Sequence, residues 1–435
     1  YYYRDTPSLS LVIDGYGDKY CSSIHLIKSE KEIINIWNSE YPNSLGLFYS
    51  AITDYLGFEI NEGEYKMMGL ASYGEPIYFE KLSKTIKFEN DKLEIDTSYY
   101  DFVRRVDRSY SDLLPALFNL PPRNSNEMLV VGSDDFKNYS NVAASAQKVL
   151  EDLLERIFTY AFNKTGINNF LLSGGVAMNS VAVKKISELP FIESLNVPPS
   201  PGDSGAAIGA ALFGFIKDKD KKIDPNKLID NKDLYPGKLV SDENFFDLVL
   251  DKITDDSNSI EETSKLISRN EIIATCYGNI ETGPRALGHR SLICNAHNQD
   301  LIIKLSTEVK KRNLFRPTAP VVLEEFVNTY FNINNSIKNC YYHMSSVATP
   351  KEEFKNLIKG VIHIDNTSRV QICNNDQLLG KILTYLKNDK IYLIANTSFN
   401  ISSDPMVYSK EDAYLAMVRM GIKYLLTEKG LYKIK

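Results

Sequence analysis

Apolar positions along the first forty residues gather in short runs of strand length. Leu9 to Asp14, Tyr20 to Ile27 and Ile33 to Trp37, with turn residues between them, predict three strands of a small sheet. A helical spacing follows. Leu45, Phe48, Ile52, Tyr55 and Leu56 recur at helical spacing over Ser44 to Leu56, and Gly57 supplies a stop. Glu64 to Ala71 continues that pattern and closes at Tyr73-Gly74. Residues 76–137 hold no sustained period and are rich in Tyr, Asp and Lys, so they read as an insertion or cap. A long amphipathic helix is expected over Asn141 to Phe162. Next come a buried strand, Asn169 to Ser173, running into Gly174-Gly175, and a helix from Val176 to Ile186. A further strand, Ser194 to Val197, leads through the Pro- and Gly-rich segment 198–205 into a small-residue helix, Ala206 to Phe215. Strand, Gly-rich turn and helix, twice over, predict an α/β domain with ligand sites at the turns. Lys217 to Ser241, marked by Tyr235-Pro236-Gly237, reads as a linker, which divides the chain into expected domains 1–237 and 238–435. The second is also α/β, with strands expected near Ile272–Tyr277, Val361–Ile364, Tyr392–Ala395 and Tyr424–Leu426.

Composition narrows the class. The 435 residues suggest two or three domains, and 43% hydrophobic with 24% charged residues is globular usage. A net charge of −6 argues against a nucleic-acid partner, so any basic cluster must be local. Five scattered cysteines without a CxxC pair predict free thiols in a reducing cytoplasm. No apolar run approaches the roughly 18 residues of a membrane span, so no membrane partner is expected. The chain opens on Tyr1, not Met, and reaches a strand almost at once, which suggests that its natural N-terminus lies further upstream.

Candidate chemistry concentrates in two basic segments. Glu281-Thr282-Gly283-Pro284-Arg285-Ala286-Leu287-Gly288-His289-Arg290-Ser291 and Val309-Lys310-Lys311-Arg312-Asn313-Leu314-Phe315-Arg316-Pro317 set six cations among Gly, Pro, Phe and Leu. That setting favours an anion pocket over a solvated face, because Arg presents a planar fork of donors that fits phosphate and carboxylate. Ser173-Gly174-Gly175-Val176-Ala177-Met178-Asn179 predicts backbone N–H groups at a helix start, a setting suited to anions, with Asn179 within reach of a ribose or phosphate. Asp14 and Asp203 stand beside glycines at strand ends, each readable as a turn or cap residue or as a metal ligand. His363 to Gln371, containing Arg369, and Asn396-Thr397-Ser398-Phe399-Asn400 are expected at the ends of apolar strands. Among the five histidines no pair has the i, i+4 spacing of a helical metal site, and all except His289 read as surface or core residues.

Taken in order, these blocks resemble the O-carbamoyltransferase family of nodulation-factor and antibiotic-tailoring enzymes. The resemblance is carried by Ser44-Leu45-Gly46-Leu47-Phe48-Tyr49, Gly63-Glu64-Tyr65-Lys66-Met67-Met68-Gly69-Leu70-Ala71, the Gly-Gly-Val block, the Gly-Pro-Arg-Ala-Leu-Gly block with its Phe-Arg-Pro partner, and Asn-Thr-Ser-Phe-Asn. It implies an actin-like ATPase-type domain followed by a YrdC-like domain. It also implies an activity: carbamoyl phosphate and ATP form carbamoyl adenylate in the second domain, and the first transfers the carbamoyl group to a hydroxyl of a small-molecule or glycan acceptor. By that resemblance Arg285, Lys310, Arg312, Arg316 and Arg369 meet phosphates, Lys310 and Arg316 in the chemical step. Asn396, Ser398 and Asn400 meet the carbamoyl or nucleotide end, and Gly46, Gly175 and Asn179 hold the adenylate. Asp14 and Asp203 hold a divalent metal, iron or magnesium, with Asp14 also catalytic. The family's His-x-x-x-His pair and Asp-x-His segment precede the block around Asp14, so the resemblance implies a chain that forms the adenylate without transferring it. Tyr277 and Asn279 stand where the family usually has Gln and Arg. Homo-oligomerisation is left open. So are two other readings, a threonylcarbamoyl-type tRNA-modifying enzyme and a non-catalytic nucleotide-binding regulatory module.

Overall fold

The computed structural model describes residues 7–29, 32–105, 107–217, 235, 237, 245–313, 315–316, 318–401 and 404–435. The chain divides into two compact units, Tyr1–Leu228 with Asn334–Cys340, and Ile229–Ile333 with Tyr341–Lys435. Most of the expected linker, 217–241, lies outside the described residues.

The first unit is built on β1 (Ser8–Ile13), β2 (Ser22–Ser29) and β3 (Glu32–Ser39), an antiparallel meander. Two helices follow, α1 (Leu45–Tyr55) and α2 (Glu64–Ala71). The insertion then carries α3 (Phe79–Leu82), the hairpin β4 (Ile86–Glu89) and β5 (Lys92–Ile95), and α4 (Leu113–Phe118). After it come α5 (Asp134–Thr165), β6 (Asn169–Ser173), α6 (Ser180–Ser187), β7 (Ser194–Asn196) and α7 (Ala206–Lys217). The sheet order is β3-β2-β1-β6-β7, with β6 parallel to both β1 and β7. Leu9 and Leu11 of β1 are fully buried because this strand is paired on both sides and covered. A meander continued by parallel strands reached through helices is the α/β order that the actin-like expectation asks for.

Two local expectations needed adjustment. The long helix starts at Asp134, upstream of Asn141, because Ser133 accepts from the Phe136 N–H and two acidic residues complement the first turn. The helix expected over Val176 to Ile186 is split: a 3-10 turn, Gly175–Met178, precedes α6, and Asn179 is the cap between them. The insertion is anchored, since Tyr55 Oη donates to Leu120 O at 2.6 Å. The second half of the chain also lends a segment to this unit. Asn334 Nδ2 donates to Ser187 O at 3.0 Å, and Asn339 Nδ2 to Asn196 Oδ1 at 3.2 Å.

The second unit contains α8 (Phe245–Val249), β8 (Leu250–Asp255), α9 (Asp256–Ser268), β9 (Ile273–Thr275), β10 (Ser291–Asn295) and α10 (Gln299–Lys304). There follow β11 (Ala319–Leu323), α11 (Glu324–Tyr330) and β12 (Phe331–Asn332), then, after α12 (Lys338–Tyr341) of the segment lent to the first unit, β13 (Thr349–Pro350) and β14 (Gln371–Cys373). The chain ends with α13 (Leu378–Leu386), β15 (Leu393–Ser398), α14 (Lys410–Met420), β16 (Tyr424–Thr427) and β17 (Gly430–Ile434). Eight strands form one mixed sheet, β14-β11-β15-β10-β9-β16-β17-β8. Ile267, Ile293, Val321, Leu383, Ile394 and Leu426 meet in its core, where α9 and α13 cover the strands. The strand expected at Val361–Ile364 is absent. Lys359–Val361 is a 3-10 turn, and Ile364 is 59% exposed, so its side chain has no sheet face to cover.

Candidate functional site

The cations foreseen in the sequence converge at one edge of the second unit. Arg312 and Arg316 lie just before β11, Arg369 just before β14, and Arg285 on the loop entering β10. β11 and β14 are parallel, so the segments preceding them reach the sheet at the same end. The electrostatics record how close the groups come. Burial pushes the Arg369 guanidinium well below the usual arginine range, and Arg285, Arg312 and Arg316 push it the same way. Arg312 also donates to Thr397 Oγ1 at 3.2 Å and Thr318 Oγ1 at 2.7 Å, which ties it to β15 and β11. Leu314 and Pro317 of the same block lie outside the described residues.

Lys310 takes a different position. It is only 2% exposed, and Nζ donates to Ser398 O (2.5 Å) and Oγ (3.1 Å) and to Asn400 O (2.6 Å) and Oδ1 (2.7 Å). Burial, then Arg312 and Arg316, push its pKa well down. An ammonium has three donors, so this cage of oxygens engages all of them. Lys310 thus fixes the turn after β15, and Ser398 and Asn400, expected as ligand groups, are its acceptors.

Asn396, on β15 beside Ala319 of β11, points its amide at a second network. Nδ2 donates to Ala286 O (2.9 Å) and Gln371 Oε1 (2.7 Å), and Gln371 Nε2 donates to Leu287 O (3.0 Å). Both amide hydrogens are therefore engaged, and Oδ1 is buried without a hydrogen-bonding partner among the described residues. An orphaned acceptor beside a cation cluster fits a ligand that carries an N–H as well as an anion.

The loop bearing Arg285 is organised by a residue to which the sequence reading gave no role. Glu281 Oε1 accepts from the backbone N–H groups of Leu287 (3.0 Å), His289 (2.7 Å) and Arg290 (2.9 Å). Arg290 is fully buried and donates to the carbonyls of Tyr277, Gly278 and His289, so it closes the loop and does not face a ligand. His289 Nδ1–H donates to Asn279 O (2.7 Å), and the ring stacks on Tyr235 at 3.7 Å between ring centroids. Tyr235, read as a linker marker, donates to Leu287 O. Only their place beside Gly283 and Gly288 hinted at these duties, because a buried carboxylate serving backbone donors leaves no periodic signature.

In the first unit the Gly-rich turns gather around Asp14. Its Oδ1 accepts from Gly15 N at 2.7 Å, and Ser44 Oγ donates to Gly15 O at 2.6 Å while capping α1. A Cβ on Gly175 would stand 2.9 Å from Asp14 Oδ1, and one on Gly202, next to Asp203, 4.0 Å from Gly175 Cα. The turns of Asp14, Gly175 and Asp203 are thus neighbours. Asp203 is exposed and opens a 3-10 turn, Asp203–Gly205, ahead of α7. Asn179 is committed elsewhere: Oδ1 accepts from Ala182 N (3.0 Å), and Nδ2 donates to Gln147 Oε1 (2.8 Å). No three His, Cys, Asp or Glu side chains among the described residues converge on a metal position. Two carboxylates alone do not complete a metal site.

Gly46 gives this convergence a direct test. A Cβ there would lie 2.5 Å from Gly15 N and 2.6 Å from Asp14 C, both backbone atoms that cannot swing away. Gly→Ala inside a helix usually gains about 1 kcal/mol, yet overpacking of this kind costs about 1–3 kcal/mol. Gly46→Ala is therefore expected to lower the denaturation midpoint in urea. An unchanged or higher midpoint would show that α1 does not abut the Asp14 turn.

A model of the carbamoyltransferase N-terminus matches residues 3–212, and one of the carbamoyltransferase C-terminus matches residues 264–433. The chain belongs to the carbamoyltransferase family, a family of transferase enzymes. Nodulation protein NolNO of Sinorhizobium fredii is 30% identical over 98% of this chain and 61% of its own length. Nodulation protein NolO of Bradyrhizobium diazoefficiens is 29% identical over 93% of this chain and 72% of its own. An uncharacterized Synechocystis protein is 28% identical over 96% of this chain and 71% of its own. Among solved structures, T. kodakarensis HypF aligns with 40% of this chain and 21% of its own at 19% identity and a TM-score of 0.29, too loose an overlap to bear on fold or function. No helix among the described residues is long and apolar enough to cross a membrane.

Proposed function

We propose that this protein is an O-carbamoyltransferase that activates carbamoyl phosphate with ATP in its second unit and transfers the carbamoyl group to an acceptor hydroxyl in its first. The observation that carries the reading is the pairing of the Arg285, Arg312, Arg316 and Arg369 cluster with the orphaned Asn396 Oδ1. Carbamoyl phosphate offers both complements, a dianionic phosphate for the guanidinium forks and an NH2 for the open acceptor. Acetyl phosphate has the same phosphate but no N–H, and would leave Asn396 unpaired at a cost of about 1–3 kcal/mol.

The overall balance of the first step is carbamoyl phosphate, ATP and water giving carbamoyl adenylate, pyrophosphate and phosphate. In the second, the acceptor oxygen bonds to the carbamoyl carbon, the bond to AMP breaks, and the hydroxyl proton is lost. The clustered cations would hold the phosphates and neutralise charge on the leaving groups, an effect strengthened by exclusion of water. The turns of Asp14, Gly46, Gly175 and Asp203 would receive the adenylate, and the acceptor is a small molecule or glycan.

The test is exchange of labelled pyrophosphate into ATP by the full chain. Exchange that depends on carbamoyl phosphate, and is not supported by acetyl phosphate, is the expected result. Exchange that ignores the added acyl phosphate, or binding of ATP without any exchange, would refute the reading, and the second would favour a regulatory nucleotide-binding module.

A further inference from the structure

His363 stands in the loop between the 3-10 turn Lys359–Val361 and β14. The loop is closed on itself. His363 N donates to Thr367 O (2.8 Å), Asn366 N donates back to His363 O (3.0 Å), and Asp365 Oδ1 accepts from Thr367 N (2.9 Å) and Oγ1 (2.8 Å). Within this turn the imidazole Nε2 is buried and has no hydrogen-bonding partner among the described residues. The charges that reach it are Asp365 and Arg369 on its own loop and Arg312 on the segment before β11. Arg369 in turn feels Arg285 and Arg316. A buried polar nitrogen left open beside the guanidinium groups of Arg369 and Arg312 has no structural duty that explains its position, and a buried orphan costs about 1–3 kcal/mol until something pairs with it.

We propose that His363 is a further ligand of the anion site, its Nε2 donating to a phosphate oxygen of the carbamoyl phosphate held by Arg312 and Arg369. This rests on the reading of the cluster as the phosphate site. It adds a consequence that the arginines alone do not have. In the free protein burial pushes His363 down to about 4, with Asp365 opposing and Arg369 and Arg312 reinforcing the shift, so the ring is neutral near pH 7. A bound dianion offsets the field of the guanidinium groups and offers Nε2 an acceptor, and both effects favour the imidazolium. Carbamoyl phosphate binding is thereby linked to uptake of a proton. Phosphomonoesters lose their second proton at a pKa of about 6, so above that pH the ligand is mostly dianionic and the uptake belongs to the protein.

Isothermal titration of the full chain with carbamoyl phosphate at pH 7, in two buffers of different ionisation enthalpy, measures the protons exchanged. The wild type is expected to take up most of one proton more than His363→Gln, and the variant to bind about tenfold more weakly. A second measurement needs no variant: wild-type affinity should fall as pH rises above about 7, at a rate up to tenfold per unit. Equal proton uptake by the two proteins, or a wild-type affinity flat with pH, would overturn the role of His363. If Arg369→Gln abolishes binding while His363→Gln keeps both affinity and uptake, the phosphate site stands and only this inference fails. Absence of carbamoyl phosphate binding by every protein, the wild type included, would remove the phosphate site itself and this inference with it.

Discussion

Arg369→Gln should weaken carbamoyl phosphate binding by about 2–4 kcal/mol, roughly 30- to 800-fold, and at the same time raise the Tm of the unliganded protein. The two effects have one cause. The Arg369 guanidinium is desolvated, and the Arg285, Arg312 and Arg316 charges oppose it from nearby. A buried cation among like charges destabilises a fold that has no anion to compensate it, whereas a bound dianion turns each of those repulsions into an attraction shared by the group. Gln removes the charge and keeps a planar polar end, so the repulsion is relieved with little loss of packing. Arg369→Lys keeps the charge without the fork, and is expected to bind nearly as poorly as the Gln variant while gaining no stability. Calorimetric titration and thermal denaturation of the three proteins read this directly. A lower Tm with unchanged binding would mean that Arg369 is there for packing.

The parts of the fold legible in the sequence were those with a period. β1 and β6 were placed within a residue of their ends, and α2 over its full length, because Leu9, Leu11 and Ile13 recur at every second position and Glu64 to Ala71 repeats at helical spacing. Two interior strands of the second unit, β10 and β11, were not foreseen, whereas β9, β15 and β16 were. Ser291–Asn295 and Ala319–Leu323 are buried at every position, so neither shows the alternation by which a half-exposed strand is recognised. Val361–Ile364 misled for the opposite reason, as a short apolar run that ends in an exposed Ile364. The cations of the anion site were legible as residue types beside glycines. What each of them touches was not, since Lys310 and Arg369 look alike in sequence and differ in whether oxygens or guanidinium groups surround them. The duties of Glu281, Gln371 and His363 depend on contacts across strands of different sequence separation, which no local pattern records.

Lys310→Met is expected to destabilise the protein by about 1–3 kcal/mol and to end pyrophosphate exchange, through loss of position more than loss of charge. Met retains the length and most of the apolar stem, so packing of a side chain that is 2% exposed changes little. The four oxygens of Ser398 and Asn400 lose their common donor, and the turn that follows β15 has nothing to close it. A pH signature separates this role from that of a surface lysine. The folded-state pKa of Lys310 is lowered, by burial first and then by Arg312 and Arg316. Between that lowered value and the roughly 10.4 of an unfolded lysine, the unfolded chain binds the extra proton, so unfolding free energy must rise with pH, by at most about 1.4 kcal/mol per unit. Other groups titrate over the same range, and the informative quantity is therefore the difference between wild type and Lys310→Met measured by urea denaturation at several pH values. That difference should widen as pH rises, because deprotonation removes the cost of burying an ammonium in the wild type and changes nothing in the variant. A difference independent of pH would mean that Lys310 carries the same charge folded and unfolded, and that the cage of oxygens holds it as an ammonium throughout. Met would then remove a fully compensated cation, and the loss of exchange would have to be read as loss of a phosphate ligand.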